Sequence, residues 1–134
     1  MSDSRIEALR LVVKYGDTTA VDGVDLSIGA GELVTLLGPS GCGKTTTLRA
    51  IAGLETPTDG TIRLSGRDVF SGANRTNVPA EKRGVSMVFQ SYAIWPHMTV
   101  FENVAYGLRV RKAGQAEVAD AVRRVLDMVR MSQY

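Results

Sequence analysis

Gly38, Gly41, Gly43, Lys44 and Thr45 carry most of the chemistry that this sequence can do, in the stretch GPSGCGKTTTLRAIAG. They fit the pattern G-x-x-x-x-G-K-[ST]. Glycines at this spacing let a backbone turn around a phosphate with its N–H groups pointing inward, and a helix beginning at the end of the turn adds positive potential. Lys44 supplies a flexible point charge for terminal phosphates and Thr45 a hydroxyl for Mg²⁺. Thr46 is placed to donate to the innermost phosphate, and Ser40 and Cys42 complete the loop. A glycine-rich turn that binds nothing is the plain alternative. At average residue usage its four fixed positions coincide by chance at roughly a few per hundred thousand sites.

Such a cradle needs a strand before it and a helix after it. The run Leu33, Val34, Thr35, Leu36, Leu37 is apolar on both faces, as a buried parallel strand would be. From Gly43 to Gly53 the apolar residues Leu48, Ile51 and Ala52 recur at helical spacing, with Gly53 in a capping position. Upstream, Ile6 to Val13 and Val21 to Ile28 alternate loosely and predict half-buried antiparallel strands. Downstream, the turn from Pro57 to Gly60 leads to a strand over Thr61 to Leu64, then an exposed loop over Ser71 to Ala80. Val85 to Phe89 is a second buried-type strand. Thr99 and Glu102 have capping-box spacing, which predicts a helix to about Leu108, with Arg109 to Gly114 as connector. From Gln115 on, Val118, Val122, Val125, Leu126 and Val129 form one apolar stripe, with Arg123, Arg124 and Asp127 off it.

Bulk properties narrow the class. The chain has 134 residues, 44% of them apolar and 22% charged, and a net charge of +2, which describes a globular protein and demands no nucleic-acid partner. The polar start Ser2, Asp3, Ser4, Arg5 predicts neither a secretory signal nor a membrane span, and hence a cytoplasmic chain. Cys42 is the only cysteine, so no internal disulfide forms.

Lys14, Tyr15 and Gly16, the run Gly38 to Thr46, and the stretch VSMVFQSYAIWPHMTVFENVAYGL together resemble the ATP-binding subunit of an ABC transporter. The wording of the last stretch is similar to importer ATPases of the ferric-iron, polyamine and sugar group. The resemblance implies an α/β P-loop NTPase fold of ABC type. Its antiparallel β-subdomain and part of a parallel-sheet core would occupy residues 1–98, and the start of a helical subdomain residues 99–134. It further implies ATP and Mg²⁺ as cofactors, with Tyr15 stacking on adenine, Ala20 touching the same ring, and Gln90 reaching Mg²⁺ beside Thr45. Tyr92, Ile94, Trp95 and Met98 would dock on membrane-spanning permease subunits, an apolar patch that composition alone leaves open between interface and satellite core. His97 is read as a contact residue. The implied parent is a homodimer lying peripherally on the inner face of the cell membrane, with the transported solute bound elsewhere.

Hydrolysis also requires a positioned water and an acidic partner for Mg²⁺. Beyond Gln90 the only apolar run ending in Asp is Val125, Leu126, Asp127, and its spacing places it on the amphipathic helix. No Leu-Ser-Gly-Gly-Gln signature, acidic strand end or switch histidine follows. The chain therefore reads as an N-terminal fragment that binds Mg-ATP and does not turn it over alone. The rival readings are a small-molecule kinase of the P-loop class and a binding-only regulatory protein.

Overall fold

The computed structural model describes residues 4–133, arranged as two compact units that divide between Met87 and Val88. In the first unit, strands β1 (Ser4–Tyr15) and β2 (Thr18–Gly29) form a long hairpin, and β3 (Asp59–Leu64), β4 (Arg67–Ser71) and β5 (Thr76–Asn77) extend it. The sheet order is β2-β1-β3-β4-β5, with every pairing antiparallel. The loose alternation of β1 has a structural cause. Ala8 is buried, and so are Leu11 and Val13, a step of three residues that a regular strand could not bury on one face. Arg10 takes up the extra residue as a bulge at φ 47°, its N–H donating to Asp25 Oδ1 at 2.7 Å. Gly60 lies opposite, where a Cβ would come within 2.5 Å of the Arg10 carbonyl oxygen.

Helix α1 (Lys44–Ala52) buries Thr47, Ala50, Ile51 and Ala52, and Ala50 and Ile51 join a core with Leu11, Val13, Ile62 and Phe70. It stops at Gly53, which adopts φ 83° as the glycine signal predicts, with the Leu54 N–H donating to Arg49 O at 2.9 Å. Arg83, just past a 3₁₀ turn at Ala80–Lys82, reaches back to the same helix end. Its guanidinium donates to Ala50 O at 2.7 Å, Ile51 O at 3.1 Å, Val78 O at 2.7 Å and Asn77 Oδ1 at 3.0 Å. Only 6% of Arg83 is exposed, and burial pushes its pKa down. The residue satisfies Ile51 O, which the helix end leaves unpaired, and adds a second donor at Ala50 O beside the Gly53 N–H.

Two predicted strands and one predicted loop are corrected. Leu33 to Leu37 and Val85 to Phe89 form no strand, and Leu33, Leu37 and Val88 are more than nine-tenths exposed. A strand apolar on both faces is stable only between two hydrogen-bonded neighbours and under two covering layers, and the described residues supply neither. The segment Ser71 to Ala80 is not simply an exposed loop. Ser71 is buried at the end of β4, and Thr76 and Asn77 pair with it as β5.

In the second unit α2 (Val100–Val110) begins at a complete capping box, with the Glu102 N–H donating to Thr99 Oγ1 at 3.2 Å and the Thr99 N–H to Glu102 Oε2 at 2.9 Å. The Thr99 backbone bond holds the Glu102 carboxyl below its ordinary pKa. Helix α2 runs two residues beyond the predicted end, so the connector is shorter than expected. Helix α3 (Gln115–Met128) packs Val118, Val122 and Leu126 against Ala105 and Leu108. Val125 and Val129 are exposed, which corrects the predicted stripe: a single facing helix covers only the i, i+4, i+8 seam. Asp127 sits on α3, where its side chain accepts from Ser132, and not at a strand end.

Candidate nucleotide-binding site

The loop from Gly38 to Gly43 turns through left-handed backbone at Gly41 (φ 81°) and Gly43 (φ 91°) and delivers the chain into α1. Gly43 is the N-cap, and no side chain caps the helix. The N–H groups of Lys44, Thr45 and Thr46 therefore have no intrahelical acceptor, since the first helical bond is Thr47 N–H to Gly43 O at 2.8 Å. These donors, with the positive end of the helix dipole, make a seat for an anion. The Lys44 side chain folds back onto the loop. Its ammonium donates to Gly38 O at 2.6 Å and Pro39 O at 2.8 Å, and Cys42 Sγ lies 3.4 Å away. Cys42 folds back over Gly38 so closely that a Cβ there would stand 2.6 Å from the sulfur.

Strand β2 fixes the loop from behind. A Cβ on Gly43 would lie 2.5 Å from the Ala20 carbonyl oxygen and 3.2 Å from Val21 Cγ2, so only glycine fits between β2 and the start of α1. Ala20 thus stands against the cradle, through its backbone. Tyr15, at the tip of the β1–β2 hairpin, is half exposed, and its hydroxyl donates to Glu55 Oε2 at 2.7 Å. That bond raises the Tyr15 pKa, while the Thr46 hydroxyl acts on the phenol in the opposite direction. The fold therefore brings Tyr15, Ala20 and the loop 38–46 together. Glu55 and Arg83 were missed, because nothing in their sequence neighbourhood distinguishes them from surface charges.

Gln90 and the apolar segment after it lie in the second unit. Gln90 is exposed, as are Tyr92 (83%) and Ile94 (67%). Trp95 is anchored: its N–H donates to Asn103 Oδ1 at 2.8 Å, and its ring meets that of Tyr106 at 4.2 Å between centroids. The Asn103 amide also donates to the carbonyls of Trp95, Met98 and Thr99, which holds this segment against the start of α2. Among the described residues no helix is long and apolar enough to cross a membrane.

A loop of this geometry, opening into an uncapped helix with a lysine bound to its own carbonyls, defines a nucleotide-binding protein of the P-loop class. The ABC transporter family matches residues 21–134, and the chain belongs to that family. It is 56% identical over 114 residues to the spermidine/putrescine import ATP-binding protein PotA of Thermobifida fusca (strain YX), an alignment covering 85% of this chain and 28% of that protein. The PotA protein of Pasteurella multocida (strain Pm70) is 50% identical over 129 residues, covering 96% of this chain and 33% of the relative. That of Haemophilus ducreyi (strain 35000HP / ATCC 700724) is 52% identical over 132 residues, covering 98% and 34%. The chain spans about a third of the length of these relatives.

The Cys42 thiol is exposed inside the loop. An alkylating reagent is expected to label it in the empty chain. At a Mg-ATP concentration about ten times Kd the rate should fall roughly tenfold, since only the free fraction reacts. Equal rates with and without nucleotide would place Cys42 outside the site.

Proposed function

We propose that this chain is the nucleotide-holding part of the ATP-binding subunit of an ABC importer. The observation that carries the reading is the loop itself: free amides at Lys44 to Thr46, a lysine whose ammonium rests on the loop carbonyls, and a half-exposed aromatic ring at the hairpin tip. The residues fit a Mg-nucleotide. Backbone N–H groups from Gly41 to Thr46 would hold the phosphates, with Ser40 at the loop's rim, and Lys44 would leave the Gly38 and Pro39 carbonyls to meet the terminal ones. Thr45 would ligate Mg²⁺, and Tyr15 would stack on adenine with Ala20 at its edge. When bound, ATP supplies the phosphoanhydride whose cleavage drives transport.

In this reading residues 1–98 are the N-terminal part of the ATP-binding core and residues 99–134 begin the helical subdomain. The exposed Tyr92 and Ile94, with Trp95 and Met98 whose backbones are tied to Asn103, would dock on membrane-spanning permease subunits. The whole subunit would work as a homodimer on the cytoplasmic face of the membrane. The relatives are named for spermidine and putrescine import, and a polyamine is the solute class we carry over. This chain would not bind it.

Equilibrium binding of Mg-ATP to the chain tests the reading, with phosphate release followed in parallel. Lys44→Ala removes a charged hydrogen-bond donor and should weaken binding by about 1.5–3 kcal/mol, roughly tenfold to a hundredfold. Phosphate release should stay at the buffer rate for both proteins. Unchanged affinity in Lys44→Ala would overturn the cradle assignment.

A further inference from the structure

We propose that Glu55 is a positioning residue for adenine recognition, holding the Tyr15 ring in its stacking orientation from the far end of α1; this rests on Tyr15 being the adenine platform. The ring stands at a hairpin tip, half exposed, with only the turn Gly16–Asp17 beyond it. A ring in that position, if untethered, would have to be ordered by the incoming base, at a cost to affinity. The phenol is not untethered. Its hydroxyl donates to Glu55 Oε2 at 2.7 Å, a charge-assisted bond and the largest influence on the phenol's ionisation.

Glu55 is itself fixed at three levels. Its N–H and that of Leu54 both donate to Arg49 O, at 3.3 Å and 2.9 Å, so it is part of the C-terminal cap of α1. Pro57, two residues on, is buried. Thr58 then stitches the segment to β1 twice, its N–H donating to Val12 O at 2.7 Å and its Oγ1 accepting from the Lys14 N–H at 3.0 Å. The segment between α1 and β3 is thus clamped to the strand that ends in Tyr15, and the carboxylate has a defined place. Thr46, from the first turn of α1, acts on the same phenol's ionisation in the opposite direction to Glu55. One helix therefore supplies the phosphate amides at its start and the anchor of the base platform just past its end. The distance between phosphate seat and stacking ring is set by a rigid element.

The test compares Mg-ATP with Mg-tripolyphosphate, which has the phosphates and no base, in equilibrium binding to the 134-residue chain and its variants. Tyr15→Ala should lower ATP affinity by roughly tenfold and leave tripolyphosphate within about twofold. Tyr15→Phe and Glu55→Ala should each lower ATP affinity by roughly threefold to tenfold, again without effect on tripolyphosphate. The double variant Tyr15→Phe/Glu55→Ala should be no weaker than either single one, because both remove the same bond. Glu55→Gln, whose amide oxygen still accepts, should retain most of the wild-type affinity. If Tyr15→Ala leaves ATP binding intact, the platform reading falls and the proposal with it. If Tyr15→Ala weakens ATP alone while Glu55→Ala does nothing, or weakens both ligands equally, the platform stands and the positioning role of Glu55 is overturned.

Discussion

Gly43→Ala is expected to disable the site and destabilise the chain together. Alanine at φ 91° costs about 1–2 kcal/mol in backbone strain alone. Its Cβ would also stand 2.5 Å from the Ala20 carbonyl oxygen, a backbone atom of a paired strand that cannot turn aside. Strand or helix start must therefore move. Either movement misaligns the amides of Lys44, Thr45 and Thr46, so Mg-ATP affinity should fall by about a hundredfold, or 2.7 kcal/mol. Urea unfolding should show a stability loss of about 3 kcal/mol. Gly41→Ala provides the contrast. Gly41 has a similar φ of 81° but nothing within 4 Å of a Cβ, so its stability loss should stop at the backbone strain of about 1–2 kcal/mol. Equal losses for the two variants would mean that the approach of β2 to the loop does not constrain it.

Arg83→Ala should be the most destabilising change outside the loop. It strips the donor from Ile51 O, at the carbonyl end of α1, and from Val78 O and Asn77, and one of two donors from Ala50 O, which keeps the Gly53 N–H at 3.2 Å. A buried polar group left unpaired costs about 1–3 kcal/mol, and water entering the vacated space would recover part of that for the outer groups. The net loss expected in urea unfolding is about 3 kcal/mol, a large share of the roughly 5–15 kcal/mol typical of a domain. Arg83→Lys keeps the charge near the helix end but cannot donate in four directions at once, so it should recover less than half. A loss below about 1 kcal/mol for Arg83→Ala would show that the carbonyls find other partners.

The local parts of this protein were legible because their physics is local. The loop 38–43 needs glycines where its backbone turns left-handed, α1 needs Gly53 to end, and α2 needs Thr99 and Glu102 to begin, so each is written within a few neighbouring residues. The family likewise followed from motifs whose residues are close in sequence. The parts that were misread depend on what lies across from them. Leu33 to Leu37 and Val85 to Phe89 have strand composition, yet a strand exists only when another backbone takes its hydrogen bonds, and among the described residues none does. The stripe on α3 looked wide because hydrophobicity does not record how much of a helix its neighbour covers, and α2 covers only the Val118, Val122, Leu126 seam. The bulge at Arg10 became visible only with Asp25 and Gly60 beside it. Glu55 and Arg83 resemble any surface charge in the sequence, and it is folding over separations of 40 and 33 residues that sets one against the Tyr15 phenol and the other against the end of α1.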